Sequence, residues 1–282
     1  MNRRQALARA RDILADHHIE DAYLEAEILL RHVLGTDRAR FLAGLEEAIS
    51  DSQVSMFLKL VQRRAGGEPS AYIVGHREFY GLNFFVDPRV LIPRPETELL
   101  VEKALEICRS SPVKTITDVG TGCGNIAVSL AVILRDVKIR AIDISIEALL
   151  VAEQNAALNE VKSRISFLQG NLLKPLRKPV DMIVANLPYV KSSDLPANGF
   201  EPELALDGGG DGLDIMRSLG SQVKGKLNLP GWLLLEIGLG QAEAVTQELK
   251  GTFTAAQIEV SRDLAGIERL VCLRLTQRRA QC

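Results

Sequence analysis

Four consecutive residues, Asn186-Leu187-Pro188-Tyr189, combine groups suited to gripping a planar NH2 group. Asn186 offers a side-chain carbonyl that accepts a hydrogen bond from an amide or amino donor. Leu187 offers a backbone carbonyl as a second acceptor, and Pro188 gives that carbonyl a defined direction by restricting the residue before it. Tyr189 adds a flat face for the rest of a planar group. Taken alone, the tetrapeptide reads equally as a strand end followed by an ordinary Asn-x-Pro turn.

A second group lies upstream, at Gly120-Thr121-Gly122-Cys123-Gly124. The spacing is G-x-G-x-G, with Asn125 where a dinucleotide fingerprint would carry its third glycine. No Lys-Ser or Lys-Thr follows, which excludes a P-loop. Such glycines let the backbone approach a ligand that lacks a pyrophosphate. Asp143 follows about 20 residues on, where a carboxylate accepts hydrogen bonds from both ribose hydroxyls. A nucleoside joined to a small zwitterion meets these demands, and S-adenosyl-L-methionine is such a molecule. Asp118 is either a structural strand-end carboxylate or a ligand contact. Arg94 lies between Pro93 and Pro95, on a rigid extended segment that serves as a stiff linker or as a wall of the site.

These residues need a frame to bring them together. From Val113 the chain alternates strand and helix: Thr115–Val119, a helix over 126–134, Lys138–Ile142 ending at Asp143, and a helix over 146–158. Strands then follow at 165–169, at 182–185 ending at Asn186, and at 232–237, with a terminal pair at 257–260 and 269–275 around Asp263-Leu264-Ala265-Gly266. That alternation implies an α/β fold with a parallel, doubly wound sheet of seven strands and a terminal hairpin. In such sheets ligands bind beyond the carboxyl ends of the strands. Gly120–Gly124, Asp143, Asn171 and Asn186 all follow strand ends, so they are expected to converge on one crevice. Glu236 and Gly238, at the end of the fifth strand, read as structural.

The first third reads as helical. Leu7, Ala10, Leu14 and His17 recur at helical spacing, as do Ala26, Leu29, Leu30 and Val33, with Asp21 a plausible cap and Gly35 a stop. Ser50 and Gln53 have the form of a capping box before Val54, Phe57, Leu58 and Val61. A small bundle of about four helices is expected up to Gly67. From Tyr72 to Val90, clustered aromatics punctuated by Gly75 and Gly81 predict a hairpin or a pair of short strands linking two domains, and a further helix runs from about Thr97 to Arg109.

Composition narrows the function classes. Of 282 residues, 46% are hydrophobic and 25% charged, and the formal net charge is -2, as for an ordinary globular protein. Residues 1–95 hold 13 basic and 13 acidic side chains, so no basic footprint of a dedicated nucleic-acid binder stands out. Cys108, Cys123, Cys272 and Cys282 form no CxxC pair, which predicts neither a structural zinc nor a disulfide framework. The first residues lack the apolar region of a signal peptide, and the apolar stretches fall short of the about 20 residues that span a bilayer. A reducing, cytoplasmic setting is the expectation.

With these residues in view, the chain resembles the PrmC/HemK family of protein-(glutamine-N5) methyltransferases over nearly its whole length. The resemblance is carried by Gly67-Glu68-Pro69, Glu78-Phe79-Tyr80-Gly81, Leu91-Ile92-Pro93-Arg94-Pro95-Glu96-Thr97-Glu98, Asp118-Val119-Gly120-Thr121-Gly122, Asp143-Ile144-Ser145, Asn186-Leu187-Pro188-Tyr189, Glu201-Pro202, Glu236-Ile237-Gly238 and Asp263-Leu264-Ala265-Gly266. The Ile-Pro-Arg-Pro-Glu-Thr-Glu segment is the most specific of these, and it favours Arg94 as a wall of the active site. The resemblance implies a helical N-terminal domain at 1–70 that binds release factors, a β-hairpin linker at 71–95 and a Rossmann-like methyltransferase domain at 96–282. It implies methyl transfer from S-adenosyl-L-methionine to the glutamine of the Gly-Gly-Gln motif in class I peptide-chain release factors.

By position, the resemblance assigns the cofactor to Gly120, Thr121, Gly122, Cys123, Gly124, Asp143, Asn171, Leu172 and Asn186. It assigns the glutamine to Asn186, Leu187, Pro188 and Tyr189, with Arg94 beside them. Two positions depart from the family. Leu187 replaces the usual proline of Asn-Pro-Pro-Tyr, and Leu172 stands where some members carry an aromatic residue. Two rival readings share the residues. An adenine-N6 methyltransferase would present the same exocyclic NH2 from a flipped base, and a cofactor-free Rossmann domain would act only as a binding module. No stable nucleic-acid binding and no membrane contact are expected.

Overall fold

The computed structural model describes residues 1–196 and 199–276, so Cys282 lies outside the described residues. The chain divides into two compact units, Met1–His76 and Arg77–Cys282.

The first unit is built from α1 (Arg3–Asp16), α2 (Ala22–Leu34), α3 (Arg38–Ala43), α4 (Asp51–Ala65) and the short α5 (Ser70–Val74). Its core is the set of periodic apolar residues, with Leu7, Leu14, Leu29, Leu30, Phe41, Phe57 and Val61 all buried. The Ser50–Gln53 capping box closes the start of α4 in both directions. A second such box, between Asn2 and Gln5, starts α1. Asp21 stands at the N-cap position of α2, as expected, but its side chain does not cap the helix. It sits at φ 49°, and its side chain makes no cap hydrogen bond, because the left-handed backbone turns the carboxylate away from the first-turn N–H groups. Glu27 is buried in α2, where it pairs with Arg31 and Arg38 at 3.4 and 2.9 Å, as a buried carboxylate must.

The expected hairpin is shorter than the aromatic cluster suggested. Tyr72 to Val74 belong to α5, and the strands are β1 (His76–Phe79) and β2 (Leu82–Phe85). Tyr80 and Gly81 both take positive φ at the turn, which suits the twist of a tight hairpin. Phe79 and Phe84 meet edge to face, with centroids 6.1 Å apart, and both join the core of the second unit.

That core surrounds a seven-stranded mixed sheet of order β5-β4-β3-β6-β7-β9-β8. Its strands are β3 (Thr115–Val119), β4 (Lys138–Asp143), β5 (Ile165–Gln169), β6 (Val180–Ala185), β7 (Leu227–Glu236), β8 (Gln257–Arg262) and β9 (Glu268–Leu275). The first five pair in parallel, and β9 runs antiparallel to both β7 and β8. Helices α6 (Glu98–Ser110), α7 (Asn125–Ile133), α8 (Ile146–Leu158), α9 (Asp214–Val223) and α10 (Ala242–Thr252) complete the α/β fold. Met182, Ile183, Val184 and Ala185 are fully buried in β6, and each of the larger three contributes about 1.5–3 kcal/mol through removal from water. The order reverses between β3, which is followed by crossovers to β4, and β6 on its other side. Ligands bind at such a switch point.

The seventh strand element differs from expectation in length. β7 starts at Leu227, five residues before the predicted start, because the exposed Asn228 and Pro230, followed by Gly231, mask a strand pattern.

Candidate active site

The carboxyl ends of β3, β4, β5 and β6 open onto one cavity of about 230 Å3, lined by Gly120, Gly122, Asp143, Gly170, Asn171, Leu172, Asn186, Leu187 and Pro188, with Arg89, Val90 and Leu91 and, from the loop before α9, Pro202, Leu204 and Ala205. The sheet register explains the convergence. Val119 lies beside Ile142 on one flank and Ala185 on the other, so the residues after each strand emerge side by side.

The glycine-rich turn is held from two sides. Asp143 Oδ2 accepts from the Gly122 N–H at 2.9 Å, and Oδ1 accepts from the Ser145 N–H at 2.9 Å. Burial pushes the Asp143 carboxyl above the usual range, while the Ser145, Gly122 and Ile144 N–H groups pull it back. An added Cβ at Gly122 would meet no protein atom within 4 Å, so the backbone there borders open space that a ligand can approach. Gly124 has a different reason. At φ +83° its Cβ would stand 3.0 Å from the Ala152 Cβ, and this close approach lets α7 start against α8. Asn155, fully buried on α8, donates to the Cys123 carbonyl at 2.8 Å and to the Phe85 carbonyl at 2.9 Å, and accepts from the Phe85 N–H at 2.7 Å. One side chain thus ties the glycine turn to the hairpin.

Several residues named from the sequence sit behind the cavity wall. Thr121 donates its hydroxyl to Asp118 Oδ2 at 2.6 Å. Cys123 is buried, and burial pushes its thiol up to about 12. Asp118 has no exposure; it also accepts from the Ala127 N–H at 3.2 Å, and burial raises its pKa to about 7. Of its two readings, the structural one holds, since it lies outside the cavity lining and braces the turn into α7. Cys108, Cys123 and Cys272 are free thiols, and the described residues hold no His, Cys, Asp or Glu cluster able to bind a metal.

Asn186 stands at the end of β6 with its amide oriented. Nδ2 donates to Thr97 Oγ1 at 3.0 Å, which leaves Oδ1 as its unengaged acceptor. Leu187 is buried while bordering the cavity, and Tyr189 lies just beyond the lining. The Tyr189 hydroxyl reaches Glu236 Oε1 at 3.4 Å, and Gln241 Nε2 donates to the Tyr189 carbonyl at 3.0 Å. Burial first, and then the neighbouring Glu236 charge, push the Tyr189 phenol up to about 12. Arg94 takes an extended backbone, as its prolines require, and forms an ion pair with Glu201 outside the cavity lining. Glu201 also accepts from the Ile92 N–H at 3.0 Å. It thereby joins the Pro-rich segment to the loop that supplies Pro202, Leu204 and Ala205.

Sequence reasoning gave no chemical role to Thr97, Asn155 or Glu236. For Thr97 and Glu236 the only signal was membership of the motifs that carry the family resemblance. For Asn155 there was none beyond a polar residue inside an apolar helix.

A glycine-rich turn and a carboxylate at adjacent strand ends of this sheet define a Rossmann-like methyltransferase domain preceded by a helical one. Comparison with known proteins agrees in both parts. Residues 5–75 match the PrmC N-terminal domain, and residues 95–198 match the methyltransferase small domain. The release factor glutamine methyltransferase of Moorella thermoacetica is 43% identical over 95% of this chain and 97% of its own length. The protein of the same description from Geobacter sulfurreducens is 38% identical over 95% of each chain. Among solved structures, a ribosomal protein L11 methylase from Lactobacillus delbrueckii subsp. bulgaricus aligns at a TM-score of 0.51 with 25% identity, over 68% of this chain and 84% of that one. The chain belongs to the family of release factor glutamine methyltransferases.

Proposed function

We propose that this protein transfers a methyl group from S-adenosyl-L-methionine to the side-chain amide nitrogen, N5, of the glutamine in the Gly-Gly-Gln motif of class I peptide-chain release factors. The observation that carries the reading is the fixed amide of Asn186. Its Nδ2 is engaged by Thr97, which leaves Oδ1 to accept from a substrate NH2 beside a cavity bordered by Gly122 and Asp143.

The residues present fit the cofactor. Gly120 and Gly122 would let the cofactor approach the backbone, Asp143 would accept from its ribose hydroxyls, and Asn171 with the apolar Leu172 and Ile144, which line the same cavity, would border its base. When bound, the cofactor supplies a methyl group already activated by a positive sulfonium. The protein's task is then alignment. Asn186 Oδ1 and the Leu187 carbonyl each accept one amide N–H. This directs the nitrogen lone pair and stabilises the positive charge that develops on nitrogen. Leu187 keeps that contact because it uses the backbone, and Tyr189 closes the far side of the amide. Thr121, Cys123 and Gly124 support the turn from behind, and Arg94 acts through Glu201 rather than by touching the cavity. The N-terminal helical unit would bind the release factor, in a cytoplasmic setting that suits the three free cysteines among the described residues.

The test offers labelled S-adenosyl-L-methionine with a purified class I release factor and, separately, with duplex DNA, and locates the label by mass spectrometry. Label on the Gly-Gly-Gln glutamine is expected, with Asn186→Ala losing most of it while remaining folded. Label on DNA would move the reading to an adenine-N6 methyltransferase.

A further inference from the structure

The Asn186 amide can be gripped in two senses, and only one leaves its carbonyl facing the cavity. What selects that sense is buried polar chemistry behind it. Thr97 is 1% exposed and Glu236 is 3% exposed. The register pairs Ala185 with Leu235, so Asn186 and Glu236 leave β6 and β7 as neighbours, and Thr97 opens α6 against both. Thr97 Oγ1 accepts from Asn186 Nδ2. Its own hydroxyl proton then needs an acceptor in a place without water. Glu236 is the acceptor at hand: its Oε2 is buried with no hydrogen-bond partner of its own, and the Thr97 hydroxyl pulls that carboxyl's pKa down.

We infer that Glu236 and Thr97 form a polarity relay that sets the orientation of the Asn186 amide, and that Glu236 anchors Tyr189 in the same way, making Thr97 and Glu236 positioning residues for the amide that accepts the methyl group. An ionised carboxylate only accepts. Thr97 must therefore donate to Glu236 and accept from Asn186, and Asn186 must present Nδ2 to Thr97 and Oδ1 to the cavity. The Tyr189 hydroxyl donates to the second oxygen of the same carboxylate at 3.4 Å. Asn186 and Tyr189 are thus both oriented by one buried carboxyl. The relay rests on the glutamine-methylating reading for its consequence, whereas the amide orientation itself does not depend on any substrate.

Burial raises the Glu236 pKa to about 7, against the hydrogen bonds from Thr97 and Tyr189 and the positive charge of Arg269, with Glu96 adding to the rise.

Thr97→Val removes the hydroxyl at constant shape, and Thr97→Ser restores it. With a class I release factor as substrate, Thr97→Val is expected to lower kcat by about 30-fold or more, the scale of a lost transition-state interaction, while the KM for the release factor and the affinity for S-adenosyl-L-methionine stay within about threefold. Thr97→Ser should recover most of kcat. A Thr97→Val enzyme with unchanged kcat overturns the relay. The second readout needs no turnover: the side-chain 15NH2 resonance of Asn186, assigned by comparison with Asn186→Ala. It should move in Thr97→Val and in Glu236→Gln and return in Thr97→Ser. An Asn186 resonance unmoved by Thr97→Val overturns the relay whatever the activity. Should the parent enzyme leave the release factor unlabelled while the resonance moves as expected, the relay stands and the substrate assignment falls.

Discussion

Asp143→Asn tests the cofactor half of the site most directly, because each carboxylate oxygen already has a defined task. Oδ2 holds the Gly122 N–H and Oδ1 holds the Ser145 N–H, both at 2.9 Å. Each oxygen retains a lone pair for a ribose hydroxyl. Asparagine keeps one acceptor oxygen and replaces the other with an NH2 donor, which faces either the Gly122 or the Ser145 N–H. A lost hydrogen bond to a charged group costs about 1.5–3 kcal/mol. One such loss at the turn, together with a weakened ribose contact, lowers affinity for S-adenosyl-L-methionine by about 2–4 kcal/mol, or roughly 30- to 1,000-fold. Isothermal titration calorimetry reads the change, with thermal unfolding run alongside to show that the domain is intact. Because burial raises the Asp143 pKa, affinity in the parent should fall on acidification at a pH above that expected for an exposed aspartate, and the variant should lack this step. An affinity within threefold of the parent would refute the assignment of Asp143 to the ribose.

Other perturbations probe the frame. Gly124→Ala adds a Cβ 3.0 Å from that of Ala152 at φ +83°, and the left-handed backbone and overpacking together should cost about 2–4 kcal/mol in urea unfolding; a change below about 0.5 kcal/mol would contradict the close-approach argument. Asn155→Leu leaves one backbone N–H and two carbonyls of Phe85 and Cys123 without their partner, a loss of about 3–6 kcal/mol, and hydrogen exchange should show the Phe85 amide opening; unchanged protection there would argue that the hairpin is held by other contacts. Asp118 keeps its proton in the folded state up to about pH 7 but loses it near 3.8 when unfolded. The folded state thus binds more protons in that window, so this contribution to stability is full below about pH 4 and is lost as pH rises towards 7, up to about 4 kcal/mol in all. Asp118→Asn should flatten the decline in unfolding free energy between pH 5 and pH 7, and a slope equal to the parent's would place the titration elsewhere.

Much of this protein was determined by local chemistry in the chain. Alternating apolar runs and helical periodicity set the strands at 115–119 and 165–169 and the helix at 146–158 to the residue, because burial on both faces of a parallel sheet demands near-continuous apolar strands. Ser50 and Gln53 announced the start of α4, since a capping box is made of neighbours in sequence. The strand-end groups Gly120, Gly122, Asp143, Asn171 and Asn186 could be foreseen to meet, because a parallel sheet carries all its strand ends to one edge. The tertiary structure decided what no spacing encodes. It set Asp21 in a left-handed turn without a cap, hid Thr121, Cys123 and Gly124 behind the wall that Gly120 and Gly122 line, and turned Arg94 to Glu201. Above all it set Thr97, Asn186 and Glu236 side by side, though they are separated by 89 and 50 residues in the chain. The direction of a hydrogen bond depends on the partner beyond it, and in this site that partner comes from a different strand.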